Sequence, residues 1–295
     1  MPNVSEGRRL DVVASMAAAL RAAGVRVLDH SADPSHHRAV FTAAGEPAAV
    51  SRAILALTAA AVAAIDLRTH RGVHPRIGAV DVVPLVPLAR ATMQECVALA
   101  RTIGAGIAST FGIPVYLYEE ASARKWRTRL EDIRRGQFEG LAAKMATPGW
   151  EPDYGPAAPH PTAGATAVGA RMPLVAFNVN LAADRIDLAR RIARAVRFSS
   201  GGLPGVKAMG VRLEHLGVAQ VSMNLTDFEQ TSIRQAFDAV RTEAERLGVP
   251  VLESELVGLV PEAALTAETA RHVLLQRFSA DQILERRLVE AGLLG

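Results

Sequence analysis

Cysteine is nearly missing from this 295-residue chain: Cys96 stands alone. A single thiol excludes an intrachain disulfide and a thiolate metal cluster, and nothing then calls for an oxidising compartment. Charge of one sign is not in excess. Lys and Arg number 33 against 30 Asp and Glu, for a formal net charge of +3, too little to form the electrostatic footprint of a nucleic-acid binder, and no RNP or zinc-finger pattern is present. Long apolar runs are also missing. The longest Ala-rich stretch, Ala48 to Leu67, is broken by Ser51, Arg52 and Thr58 and closes at Asp66, and no basic-then-apolar leader precedes the first helical pattern. The expectation is a cytoplasmic protein without membrane or nucleic-acid partners. Three familiar catalytic signatures are missing as well: the Gly-x-Ser-x-Gly elbow, the Walker loop, and Gly-x-Gly-x-x-Gly after a strand. Gly201 to Gly205 follows a helical pattern and precedes a strand, the wrong order for a phosphate cradle.

What is there is apolar material. At 49% hydrophobic residues, the chain can build about two domains of roughly 150 residues, each with its own core. Periodicity predicts a helix over 5–22, strands over 25–30 and 38–42, and a long helix opened by Pro47 at a first-turn position. A strand over 79–86 follows. The next helix is capped by Thr92 with Glu95 in a Thr-x-x-Glu box, stops near Gly112, and leads to a strand over 115–118 and a short helix over 130–135. The second half reads as strand 174–181, helix 184–198, strands 206–213 and 218–225, helix 228–247 and strand 249–256. That order is βαββαβ, the split ferredoxin-like arrangement. The first half repeats it from its helix onward. The expected fold class is therefore α+β, with two βαββαβ sandwich subdomains over 1–170 and 171–295, the first strand of the N-terminal one truncated at Met1.

Between the halves, 147–169 shows no period of either two or three and a half residues and is expected to be one irregular loop. It carries Trp150 and Tyr154 in a chain with only 4% aromatics, which favours a binding loop over a plain linker.

As metal ligands the histidines are poorly spaced. His70 and His74 would share a face only on a helix, which Gly72 and Pro75 oppose, and adjacent His36 and His37 would point apart in a strand; no metal is expected. His74 lies in RGVHPRIGAVDVVPLVP, 71–87. A histidine beside proline is commonly a solvent-exposed turn residue. Here Pro75 stiffens the backbone, Arg76 adds a permanent cation and Gly78 permits close approach, so an acid or base at a strand mouth is an equal reading.

Nine collinear segments decide further: PNVSEGRR (2–9), DPSHHRAVFT (33–42), RGVHPRIGAVDVVPLVP (71–87), IPVYLYEEA (113–121), WEPDYGP (150–156), GATAVGAR (164–171), FNVNL (177–181), VAQVSMNLTDFEQT (218–231) and SELVGLVP (254–261). Together they resemble the glutamate formimidoyltransferase family. The resemblance implies two α/β subdomains, the N-terminal one carrying the catalytic histidine and folate loop. It also implies transfer of a formimidoyl group from N-formimidoyl-glutamate to nitrogen 5 of tetrahydrofolate as co-substrate. By the family's motif the catalytic histidine is His74, and the folate loop is Gly155, Pro156, Ala157, Ala158, Pro159, His160, Pro161, Thr162, Ala163 and Gly164. Arg38 and Arg76 are charge-based candidates for holding substrate carboxylates, and each is equally a candidate for a structural ion pair. A homodimer is expected, with a separate cyclodeaminase, since no second module follows Gly295. The chain departs from the family pattern at Ser31, His37 and Val73; if a carboxylate orients the imidazole in the family, that task is either vacant here or passes to Asp33. Two rival readings are a relative using another amine donor or a formyl donor, and a folate-binding protein with impaired turnover.

Overall fold

The computed structural model describes residues 1–276 and 278–294, which fall into two compact units, Met1–Arg171 and Met172–Gly295. In the first unit the elements run β1 (Asn3–Val4), α1 (Leu10–Ala22), β2 (Arg26–Asp33), β3 (Arg38–Ala44), α2 (Pro47–Ala64) and β4 (Val80–Leu85). They continue with α3 (Met93–Phe111), β5 (Val115–Glu119), α4 (Leu130–Arg134), α5 (Leu141–Met145) and β6 (Thr166–Ala170). Six strands form one sheet in the order β2-β3-β1-β4-β6-β5. The first four strands give the split βαββαβ topology, and β6 and β5 extend the sheet in parallel beyond β4.

Two expectations are corrected here. The opening strand is not lost: β1 is only two residues long, but it sits mid-sheet and pairs antiparallel with both β3 and β4. Two residues suffice because the strands on either side supply their partners, while Phe41 also donates to the Pro2 carbonyl at 2.9 Å. The expected irregular loop over 147–169 contains most of a strand, β6, all five of whose residues are buried. A parallel strand covered on both faces shows no apolar alternation, so Thr166-Ala167-Val168-Gly169-Ala170 lacks the period that marks half-exposed strands.

Helix ends follow local chemistry. Thr92 and Glu95 form the anticipated capping box, and Gly112 ends α3 in the left-handed region at φ 64°. Helix α1 starts at Leu10 rather than at residue 5, because the Glu6 carboxylate accepts from the backbone N–H groups of Arg8 and Arg9 at 2.9 and 3.0 Å. Helix α2, with 18 residues and mean hydropathy 1.6, has the length and composition of a membrane span. It instead buries Ala53, Ile54, Leu57 and Ala61 in the core shared with Met16 and Leu20 of α1 and Ile103 and Ile107 of α3. A second, smaller core joins Ile133 of α4 and Leu141 and Met145 of α5 to Tyr116, Tyr118 and Ala167 of the sheet. Each large side chain buried this way contributes roughly 1.5–3 kcal/mol.

The second unit runs β7 (Val175–Leu181), α6 (Ile186–Val196), β8 (Val206–Leu213), β9 (Val218–Leu225), α7 (Ile233–Arg246) and β10 (Val251–Leu256). It ends with α8 (Ala267–His272) and α9 (Leu284–Glu290). The sheet order β10-β7-β9-β8 is the complete ferredoxin-like set. Along β7, Val175, Phe177, Val179 and Leu181 enter the core. The alternate residues Asn178 and Asn180 donate to Glu255 and Glu253 of β10 at 3.0 and 3.2 Å.

Candidate active site

The site in the first unit begins with three neighbouring strands. Arg38 opens β3, Asn3 lies on β1 and Asp81 on β4, so the order β3-β1-β4 sets these three side chains side by side. Arg38 donates to Asn3 Oδ1 from Nε at 3.0 Å and from Nη2 at 2.8 Å, and to Asp81 Oδ2 from Nη1 at 2.8 Å. Arg134, at the end of α4, donates from Nη2 to the same Asp81 oxygen at 2.5 Å. Asp81 Oδ1 accepts from the Ile77 N–H at 2.8 Å, tying the end of the His74-Pro75-Arg76 segment to β4.

Asp81 is fully buried. Burial alone would raise its pKa, but Arg134 and then Arg38 outweigh that and hold the carboxyl well below the usual carboxylate range. Burial and the neighbouring Arg134 bring Arg38 down to about 10. Two guanidinium groups against one carboxylate leave one positive charge over at this position.

His74 stands against that surplus. Its Nδ1 lies 2.8 Å from the Pro75 carbonyl and 3.3 Å from Arg38 Nη1. A carbonyl only accepts, so the shorter contact assigns the proton to Nδ1 and leaves Nε2 with its lone pair. Burial, then Arg38 and Arg134, push the imidazole pKa well below 6.5, so it is neutral at neutral pH and can serve as a base. His36 approaches it with ring centroids 6.0 Å apart. Asp33 does not orient His74. Its carboxylate takes the His36 backbone N–H at 2.7 Å and lies 3.1 Å from His36 Nδ1.

Arg76 is committed elsewhere. It is buried and forms a two-pronged pair with Glu139 at 2.8 and 2.7 Å, while its Nε donates to His70 Nδ1 at 3.1 Å. His70 passes the contact on, its Nε2 donating to the His37 carbonyl at 2.9 Å. The rings of His70 and His37 stack at 4.0 Å with 10° between planes, and His37 Nε2 reaches Glu6 at 3.3 Å. The histidines therefore associate as His37 with His70 and His36 with His74, and no cluster of three metal-ligating side chains occurs among the described residues.

The segment Gly155 to Gly164 is anchored at both ends. At its start, Tyr154 packs on Gly104 of α3 and its carbonyl accepts from the Val115 N–H at 2.9 Å. Trp150 meets Trp126 edge-on at 5.4 Å. These aromatics fix the loop to its own unit. At its end, His160 and Gly164 exchange backbone hydrogen bonds at 2.9 Å, and His160 Nδ1 accepts from the N–H groups of Thr162 and Ala163. Ala79 donates to the Ala163 carbonyl at 3.0 Å and Ala165 to the Ile77 carbonyl at 2.9 Å. The backbones meet so closely that a Cβ on Gly78 would lie 2.0 Å from the Ala165 carbonyl oxygen, and one on Gly164 2.0 Å from that of Ile77. Gly155 to Ala158 are exposed, while Ala163 and Gly164 are buried. The structure thus brings the loop against the strand mouth that follows His74.

Residues 1–171 match the model of the formiminotransferase domain, N-terminal subdomain, and residues 176–291 that of the formiminotransferase domain. The chain belongs to the formiminotransferase family. Glutamate formimidoyltransferase of Streptococcus pyogenes is 45% identical over 291 residues, covering 98% of this chain and 97% of that protein. Glutamate formimidoyltransferase of Thermoplasma acidophilum is 42% identical over 99% of this chain and 97% of its own length. The rat formimidoyltransferase-cyclodeaminase is 41% identical over 90% of this chain, which accounts for 50% of that longer protein.

In this formiminotransferase the structure brings together His74 and Arg38, both named from the sequence, with Asn3, Asp81 and Arg134, which were not. Asp81 had a signal: it is the lone carboxylate in the apolar run Ala79-Val80-Asp81-Val82-Val83, and a charge in a buried strand is seldom without a partner. Asn3 had none, since its strand was not expected. Arg134 sits among Glu131, Asp132 and Arg135, where charges read as a solvated helix face.

Proposed function

We propose that this formiminotransferase transfers a formimidoyl group from N-formimidoyl-L-glutamate to nitrogen 5 of tetrahydrofolate, giving 5-formimidoyltetrahydrofolate and L-glutamate, with His74 as general acid and base. The observation that carries the reading is a neutral imidazole, held beside Arg38, in a chain 45% identical end to end to a glutamate formimidoyltransferase.

The chemistry needs one proton moved twice. Nitrogen 5 attacks the formimidoyl carbon, and Nε2 of His74 takes the proton that nitrogen 5 sheds. The tetrahedral intermediate then breaks its bond to the glutamate nitrogen, and His74 returns the proton to that departing amine. A base with a pKa below neutrality enters the cycle in the right form, and such proton transfer is worth about a hundred- to ten-thousand-fold in rate. Arg38 and Arg134 keep the imidazole neutral between turnovers. Arg76, bound to Glu139, supports the strand mouth rather than the substrate in this reading.

The loop Gly155 to Gly164 is the folate-binding segment of the same proposal. Its support is its attachment at residues 77–79, next to His74 in sequence and pinned there by backbone hydrogen bonds. The setting we propose is a cytoplasmic homodimer working beside a separate cyclodeaminase, on the model of the fused proteins in which the two halves occur together.

The test is direct. Purified protein is mixed with tetrahydrofolate and N-formimidoyl-L-glutamate, and 5-formimidoyltetrahydrofolate and free glutamate are both measured. They are expected to appear in equal amounts. Glutamate released without the folate product would mark a hydrolase and overturn the proposal.

A further inference from the structure

We propose that Arg134 receives the α-carboxylate of the amino-acid donor beside His74. This assignment rests on the formimidoyl-transfer reading above and adds to it the residue that seats the donor.

Three arginines approach the strand mouth, and they differ in what they have left to give. Arg38 has all three nitrogens engaged, Nε and Nη2 with Asn3 and Nη1 with Asp81. Arg76 spends its guanidinium on both oxygens of Glu139, on Gln137 and on His70. Arg134 gives Asp81 a hydrogen bond from Nη2, and its Nε is buried with no acceptor. Its side chain retains 14% of its surface. A guanidinium has five N–H donors in a rigid fork suited to a carboxylate, so most of this fork is uncommitted.

Charge agrees with geometry. Asp81 neutralises one of the two guanidinium groups that share it, and a single further carboxylate would balance the other.

The donor's own structure names which carboxylate. In an N-formimidoyl amino acid the departing nitrogen is bonded to the α-carbon that bears the carboxyl group, so the carboxyl carbon lies roughly 2.5 Å from the nitrogen that His74 must protonate. The carboxylates of the folate tail are separated from nitrogen 5 by the whole p-aminobenzoyl group. Arg134 is linked to the His74 ring by three short contacts, its own to Asp81, Asp81's to Arg38 and Arg38's to the ring, a separation that suits the first better than the second. Arg134 would then read what every amino-acid donor shares, and the choice of glutamate over other amino acids would be made elsewhere.

The experiment compares two donors on two proteins: N-formimidoyl-L-glutamate and N-formimidoyl-4-aminobutyrate, its analogue without the α-carboxylate. Wild-type protein is expected to favour the first in kcat/KM. Loss of a charge-assisted pair in Arg134→Gln should lower kcat/KM for formimidoylglutamate by about 10- to 100-fold. The analogue, which has no α-carboxylate to lose, should fall by less than formimidoylglutamate does, so the preference collapses. An equal fall on both donors would assign Arg134 a merely structural part through Asp81 and overturn the proposal. So would a wild-type protein that does not distinguish the donors. If Arg134→Gln does not fold, Arg134→Lys carries the comparison, and a preference as strong as wild type's is the overturning result. Wild-type protein that transfers from neither donor overturns the functional reading itself, a result distinct from the others.

Discussion

Arg38 Nη1 lies 3.3 Å from His74 Nδ1 while donating to Asp81 at 2.8 Å, so a permanent cation is fixed against the imidazole by a fully buried carboxylate. The arrangement decides which protonation state His74 occupies. A positive neighbour and burial both disfavour a second positive charge, and the ring stays neutral until the pH is well below its ordinary value.

The pH dependence follows from that sign. Neutral His74 is the active form, so kcat/KM should be flat through neutrality and fall only as the pH drops well below 6.5. Replacing Arg38 by Met removes one opposing charge and should move this acid limb toward higher pH. A limb centred at or above 6.5 in the wild-type protein would contradict the assignment.

Asp81 should be costly to neutralise. Asp81→Asn leaves Arg38 and Arg134 buried or nearly so without their counter-charge, and breaking a buried pair from one side typically costs about 3–5 kcal/mol. A lower thermal midpoint is expected, along with a loss of turnover larger than destabilisation explains, since one amide oxygen must serve either the Ile77 N–H or the two guanidinium groups, which Asp81 now receives on separate oxygens. A variant as stable as wild type would show that the cluster is not the strut described.

Gly164 lies at φ 67°, a conformation that strains any residue with a side chain. Gly164→Ala should displace the loop end from Ile77 and raise the KM for tetrahydrofolate more than that for the formimidoyl donor. Parallel saturation curves for the two substrates check it, and equal rises would argue against the loop as a folate-specific element.

His70 carries a signature in acid stability. Burial lowers its pKa from 6.5 to about 4, so between those values the unfolded chain binds a proton that the folded one refuses. Its contribution is present in full above 6.5 and is lost as the pH falls toward 4, amounting to about 3 kcal/mol at most. Urea midpoints measured from pH 7 to pH 4 should fall less steeply in His70→Gln than in wild type. Parallel slopes would remove His70 from this account.

Much of the fold was legible in the sequence, because amphipathic periods and caps mark the long helices: Pro47 opens α2, and Thr92 with Glu95 opens α3, whereas α5, α8 and α9, of five to seven residues, are too short to show a helical period. The missed strands share a cause. Strand β1 has two residues, too few to show any period, and β6 is covered on both faces, by the large core at Val168 and Ala170 and by the smaller one at Ala167, so its small residues alternate with nothing. The site divides the same way. His74 was legible from its rigid setting beside Pro75 and from the family resemblance. Its surroundings were not, because Asp81, Asn3 and Arg134 are brought together by strand order and by one short helix, which local patterns do not encode. Arg76, named from its charge as a carboxylate holder or a structural ion-pair partner, is paired with Glu139 in the fold.

The central claim is that His74 moves the proton in formimidoyl transfer. Steady-state transfer from N-formimidoyl-L-glutamate to tetrahydrofolate, measured for wild type and His74→Ala with matched thermal midpoints, tests it most directly. The expected result is a fall in kcat of about a hundred- to ten-thousand-fold with little change in either KM. Equal turnover by the two proteins would contradict it.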